Sequence, residues 1–65
     1  MRIDLNGAAV ETAATTLSDL IAEQGFDAAS VATALDGQFV ARSQRDTQTL
    51  RPGVRVEVLS PMQGG

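Results

Sequence analysis

Residues 54–59, Val-Arg-Val-Glu-Val-Leu, alternate apolar and polar side chains without a break until the last position. A period of two puts successive side chains on opposite faces of an extended chain, so Val54, Val56 and Val58 share one face and Arg55, Glu57 and Leu59 the other. Pro61 has no N–H to give a ladder, which ends the strand near Ser60. One wholly apolar strand face must be covered by another layer. In a chain of 65 residues that layer comes from the same small domain, and a domain of this length buries only ~60% of its unfolded surface. Small folds often add disulfides or metal sites, but the chain has no Cys and no His. Packing and hydrogen bonds alone must hold it.

The rest of the sequence supplies the partners of that strand. Arg2-Ile3-Asp4-Leu5-Asn6 alternates too, with Ile3 and Leu5 on one face. Asn6-Gly7 is a strong hairpin signal, because a type I′ turn needs positive φ at both central residues. A second strand is expected from Ala8 to about Thr12, with Val10 facing inward. Thr16 is placed as a helix N-cap. Asp19 favours the positive helix end and is a weak capping-box partner. Leu17, Leu20 and Ile21 form one stripe at helical spacing, and Gly25 is the C′ residue. A helix of two to three turns is marginal alone, so it must lie on the sheet.

Val31–Leu35 predicts a third strand, weakened by two alanines. Asp36-Gly37 predicts a second tight turn, and Gln38–Ala41 a short fourth strand with Phe39 and Val40. Arg42–Thr49 is polar and predicts a loop with one turn of 3₁₀ helix, in which Arg42, Arg45 and Asp46 read as solvated and, in second place, as a docking site. Leu50 is expected to plug the core, and Pro52-Gly53 marks a tight turn. The order hairpin, helix, hairpin, strand predicts a two-layer α+β domain. This is the order of the ubiquitin-like β-grasp, a mixed sheet of four to five strands with one helix across one face. Its first and last strands lie parallel at the centre. Residues 1–60 form the domain in this reading, and 61–65 a C-terminal tail.

The composition removes most chemistry. Without Cys, His, Tyr or Lys there is no thiolate, imidazole, phenol or Schiff-base amine, and no zinc site of the usual kind. Five basic residues, all Arg, face eight acids, for a net charge of -3. That balance argues against nucleic acid and anionic membrane surfaces and suits a partner with a basic docking face. No apolar run reaches the ~18 residues of a membrane span. The N-terminal residues lack the apolar stretch of a signal peptide, so the expected place is the cytoplasm.

One feature remains that carries chemistry, the terminal Gly64-Gly65. It follows the strongest strand, and Pro61 stiffens its root. Two residues without Cβ pass a narrow channel and leave the terminal acyl carbon unhindered. A carboxylate is a poor electrophile; adenylation by ATP would activate it toward a sulfur nucleophile or an amine. The lack of lysine weakens a role in which the chain modifies itself. Leu59 lies on the outward strand face beside the tail, where an enzyme holding the tail must meet the sheet; a single exposed leucine is equally ordinary. Phe39 belongs either to the core or to that contact, and the pattern allows both.

The segments Leu35-Asp36-Gly37-Gln38-Phe39-Val40-Ala41-Arg42 and Leu50…Gly53…Val56-Glu57-Val58-Leu59-Ser60-Pro61-Met62-Gln63-Gly64-Gly65 resemble the bacterial ThiS family of thiamine-biosynthesis sulfur carriers. The early Asn-Gly hairpin and the Thr-Leu-x-x-Leu-Ile helix start are similar to it as well. Its most specific part is the ending Pro-Met-Gln-Gly-Gly. The family often has Asn in place of Asp36, Pro in place of Ala41 and an acid in place of Val54. The resemblance implies a carrier that catalyses nothing itself. The Gly65 carboxylate would be adenylated by an E1-like enzyme of the ThiF type, which consumes ATP, and no cofactor is expected to stay bound. Sulfur from a donor such as a cysteine desulfurase would make the thiocarboxylate. A thiazole synthase of the ThiG type would receive that sulfur. Gly64, Gln63 and Met62 would form the tail, and Leu59 and Phe39 possible partner contacts. Three alternatives remain at this point: the small subunit of molybdopterin synthase, a ubiquitin-like protein modifier, and a plain β-grasp interaction domain.

Overall fold

The computed structural model describes residues 1–61. Its elements run β1 (Arg2–Leu5), β2 (Ala8–Glu11), α1 (Leu17–Glu23), β3 (Ala32–Leu35), β4 (Gln38–Val40), a 3₁₀ helix (Arg42–Thr47) and β5 (Arg55–Leu59). The five strands form one sheet in the order β2-β1-β5-β3-β4. β5 pairs parallel with β1 and antiparallel with β3, so the first and last strands lie side by side within the sheet. This is the β-grasp architecture that the order of the sequence elements predicts.

Local chemistry accounts for most boundaries. Asn6 and Gly7 sit at φ 52° and 86°, and Asp36 and Gly37 at 47° and 84°, as type I′ turns require. The Thr16 hydroxyl accepts the Asp19 N–H at 3.1 Å. Asp19 does not close the box onto Thr16; its carboxylate accepts from the Thr15 hydroxyl at 3.2 Å. Gly25 takes φ 78° just past the helix. With only seven residues, α1 depends on its buried stripe. Leu17, Leu20 and Ile21 are buried, each contributing about 1.5–3 kcal/mol of transfer free energy. The helix start is also tied to the chain before β5: the Leu17 N–H donates to the Gln48 carbonyl, and the Leu50 N–H to that of Thr15, both at 2.9 Å.

The core joins that stripe to Ile3, Leu5, Val31, Val40, Leu50, Val54, Val56 and Val58. All three valines of the last strand therefore face the same layer as Ile3 and Leu5. Val10 is half-buried against this core. Thr12 is buried as well; its hydroxyl donates to the Glu23 carboxylate and accepts the Ala14 N–H at 3.0 Å, a tie between β2 and α1.

One expectation is corrected. The segment Arg42–Thr47 forms the 3₁₀ helix, but Arg45 is buried and not solvated. Its Nε donates to the Thr33 hydroxyl at 3.0 Å, Nη1 to the Ala28 carbonyl at 2.9 Å and Nη2 to the Val31 carbonyl at 2.7 Å. The guanidinium stitches the connection between α1 and β3 to the 3₁₀ helix. Three neutral acceptors offset its loss of water, since a buried polar group without partners is costly.

Candidate functional site

The outer face of the sheet divides into two halves. On β1 and β2 it carries Arg2, Asp4 and Glu11, with Arg2 Nε 3.8 Å from a Glu11 carboxylate oxygen. On β5, β3 and β4 it carries Arg55 and Glu57 beside an apolar group formed by Ala32, Ala34, Phe39 and Leu59. Register places Phe39 of β4 beside Ala34 of β3 and Ala34 beside Glu57 of β5. In the next row Ala32 of β3 lies beside Leu59 of β5. Phe39 is 74% exposed and Leu59 66% exposed, the two large apolar residues of the described chain that face solvent.

Two strand spacings and two residues of rise separate Phe39 from Leu59, roughly 12 Å between Cα atoms. They do not form one contact pair. They stand as two projections with Ala32 and Ala34 as a shallow floor between them. The same alanines weaken the strand signal in the sequence. Their place in the alternation Val31-Ala32-Thr33-Ala34 was the available sign that they face outward, because Val31 and Thr33 are buried. Phe39, left open by the sequence pattern, is outward because its neighbour Val40 takes the core position.

Leu59 is the last residue of β5, and Ser60 and Pro61 follow it in the open. The apolar patch on this half of the face thus reaches the root of the tail. Met62, Gln63, Gly64 and Gly65 lie outside the described residues. Among the described residues no group of three or more His, Cys, Asp or Glu side chains is arranged to hold a metal. No helix among them is long and apolar enough to cross a membrane. Charge within the domain is locally managed. Asp27 is held below the ordinary aspartate range, first by the Ser30 hydroxyl at 2.8 Å and then by the Ala29 N–H at 3.1 Å, with the charge of Arg42 assisting.

Solved structures with this arrangement include two of a thiamine biosynthesis protein, ThiS, from Geobacter metallireducens. Its crystal structure matches with a TM-score of 0.86 and 26% identity, over 100% of this chain and 100% of that one. Its solution structure matches with a TM-score of 0.82 and 29% identity, over 100% of this chain and 88% of that one. No curated protein sequence matches the chain significantly. The sequence itself fits the ThiS family model over residues 3–65, which takes in the sheet, the helix and the ending Pro-Met-Gln-Gly-Gly. With the sequence match through the tail and the fold in agreement, the chain belongs to the ThiS family.

Proposed function

We propose that this chain is a sulfur carrier in thiamine biosynthesis and that the Gly65 carboxylate is its reacting group. An E1-like partner of the ThiF type adenylates it: a carboxylate oxygen attacks the α-phosphorus of ATP, and pyrophosphate leaves. The terminal sulfur of a persulfide, carried by a donor such as a cysteine desulfurase, then attacks the acyl carbon. AMP departs with the oxygen, and a thiol reductant supplies the two electrons that cleave the resulting acyl disulfide to the thiocarboxylate; free sulfide in place of the persulfide gives the thiocarboxylate directly. A thiazole synthase of the ThiG type takes up that sulfur. The chain is the co-substrate of these enzymes and performs none of the steps alone.

The family match through residue 65 is the observation that carries this reading. The side chains agree with it, since the chain offers no thiol, imidazole or amine side chain that would compete with the carboxylate. The activating enzyme docks on the apolar patch of the outer face, with Leu59 and Phe39 as its anchors.

Intact-mass measurement after incubation with ATP, the adenylating enzyme and a sulfide source tests the chemistry. The loaded protein is expected to gain the mass difference between sulfur and oxygen, mapped to Gly65. Deleting Gly65 is expected to abolish loading at unchanged thermal stability. Sulfur uptake by the Gly65-deleted protein, or a mass change before Gly64, would overturn the mechanism. Leu59→Glu tests the docking face. An exposed site costs the fold within about ±0.5 kcal/mol, whereas burying an unpaired charge in an interface costs far more. Binding to the adenylating enzyme is expected to weaken at unchanged thermal stability; unchanged binding would remove Leu59 from the interface.

A further inference from the structure

The strand that carries the tail is held differently along its two edges. On one side β5 pairs with β3 as far as Leu59 opposite Ala32. On the other side backbone pairing stops at Leu5 opposite Val56, because β1 turns away at Asn6-Gly7. The Asn6 N–H makes the last backbone bond on that side, to the Val56 carbonyl at 2.9 Å. The next residue of β5 that points its backbone there is Val58, since alternate residues of a strand face alternate neighbours.

Both backbone groups of Val58 are taken by one side chain. Asn6 Oδ1 accepts the Val58 N–H at 2.9 Å, and Asn6 Nδ2 donates to the Val58 carbonyl at 3.1 Å. A carboxamide carries one acceptor and one donor in a plane, as a peptide group does, and so adds a rung to the parallel ladder where the backbone has left it. The position makes two demands at once. Its φ of 52° calls for Asn, Asp or Gly, and the clamp calls for an acceptor and a donor on a short arm. Of the three, Asn alone meets both.

We propose that Asn6 is a positioning residue for the tail: by clamping Val58 it fixes the last rung of β5, and with it the direction in which the chain leaves the sheet at Ser60. This rests on the reading of Gly65 as the reacting end. The six residues Ser60–Gly65, if drawn out fully in a partner's channel, span at most ~20 Å. A pivot of roughly 20° at the root, the size of the ordinary twist between strands, then moves the tip by about 7 Å. A misplacement of ~1 Å at a reacting centre can cost up to 10²-fold in rate. A strand end held along one edge only is free to pivot about that edge; the Asn6 clamp removes this freedom.

Asn6→Gly tests the proposal, because glycine keeps the turn and deletes the clamp. Amide exchange at Val58 is expected to quicken roughly tenfold, as for loss of one net hydrogen bond, with the core strands unchanged. Residual dipolar couplings of the Leu59 and Ser60 N–H groups are expected to change. In pyrophosphate release with the adenylating enzyme and ATP, kcat is expected to fall roughly tenfold, while KM for the carrier holds, because the docking face is intact. Asn6→Asp, which keeps turn and acceptor but loses the donor, is expected to show the same pattern at smaller size. Unchanged kcat with unchanged couplings at Ser60 would overturn the proposal, as would a rise in KM alone, which would make Asn6 a docking residue. If the wild-type chain releases no pyrophosphate, the sulfur-carrier reading fails instead, and the couplings at Ser60 decide the clamp by themselves.

Discussion

Asn6-Gly7 and Asp36-Gly37 are turns of one kind, with φ values that agree within about 5°, and both reach the same strand. They grip β5 near opposite ends and by different means. Asp36 grips Arg55 with its own backbone N–H, which donates to the Arg55 carbonyl at 2.8 Å, and with Oδ1, which accepts the Arg55 N–H at 3.0 Å. Its side chain need only accept. Asn6 has already given its backbone N–H to Val56, so its side chain must both donate and accept to hold Val58. Asp suffices at one turn and Asn is required at the other. Turn geometry is indifferent between the two residues; the free hydrogen-bonding groups on β5 are not. A carboxamide accepts there equally well, so Asn in place of Asp36 is expected to be harmless.

The sharpest test of that difference is Asn6→Ala beside Asp36→Ala. The first loses two hydrogen bonds and the tolerance of Asn for positive φ, for about 2–3 kcal/mol; the second loses one acceptor and the similar tolerance of Asp, for about 1–2 kcal/mol. Urea denaturation reads both as shifts in midpoint at constant slope. Equal losses would break the comparison.

The exchange of acid for amide should be asymmetric. Asn6→Asp is expected to cost about 1–2 kcal/mol at neutral pH, because a carboxylate then faces the Val58 carbonyl with no proton to share. Asp4, whose carboxylate accepts the Gly7 N–H at 2.8 Å in the same turn, adds like charge. Both effects favour the protonated acid, which can donate to the Val58 carbonyl as the amide does, and are expected to outweigh the Val58 N–H that still stabilises the charged form. A folded state that binds its proton more tightly than the unfolded state gains stability as pH falls, so the variant should recover toward wild type on acidification. Asp36→Asn is expected to stay within about ±0.5 kcal/mol across the same range.

The smallest effect is expected at Asp27, whose carboxylate serves only its own loop through Ala29 and Ser30. Its pKa is lowered in the fold, so its contribution is present above the ordinary aspartate range and is lost as pH falls through the lowered value. Asp27→Asn should remove that portion of the acid sensitivity and leave amide exchange at Val58 and Arg55 unchanged. A change at either amide would mean that the loop of residues 27–30 also bears on the ends of β5.

What was legible in the sequence is local. The alternation of Val54–Leu59, the positive-φ pairs Asn6-Gly7 and Asp36-Gly37, the Thr16 cap and Gly25 each act within a few residues of themselves, and each is found where the sequence puts it. What was misread or left open depends on distant groups. Arg45 stands in a polar window and looks solvated, yet its acceptors come from residues 28, 31 and 33. The outward facing of Phe39 follows from pairing with Ala34 and from Val40 filling the core.

Sequence by itself therefore determined the order of elements, the apolar layer, both tight turns and the family signature of the tail, because hydrophobic period and backbone φ preference are properties of neighbours along the chain. Tertiary structure alone decided that Asn6 completes the ladder at a residue 52 positions away, that Arg45 is a buried tie, and that Phe39 and Leu59 flank an alanine floor on one face. Those outcomes depend on which hydrogen-bonding groups and which surfaces remain unused once the sheet has formed, and no local pattern records that remainder.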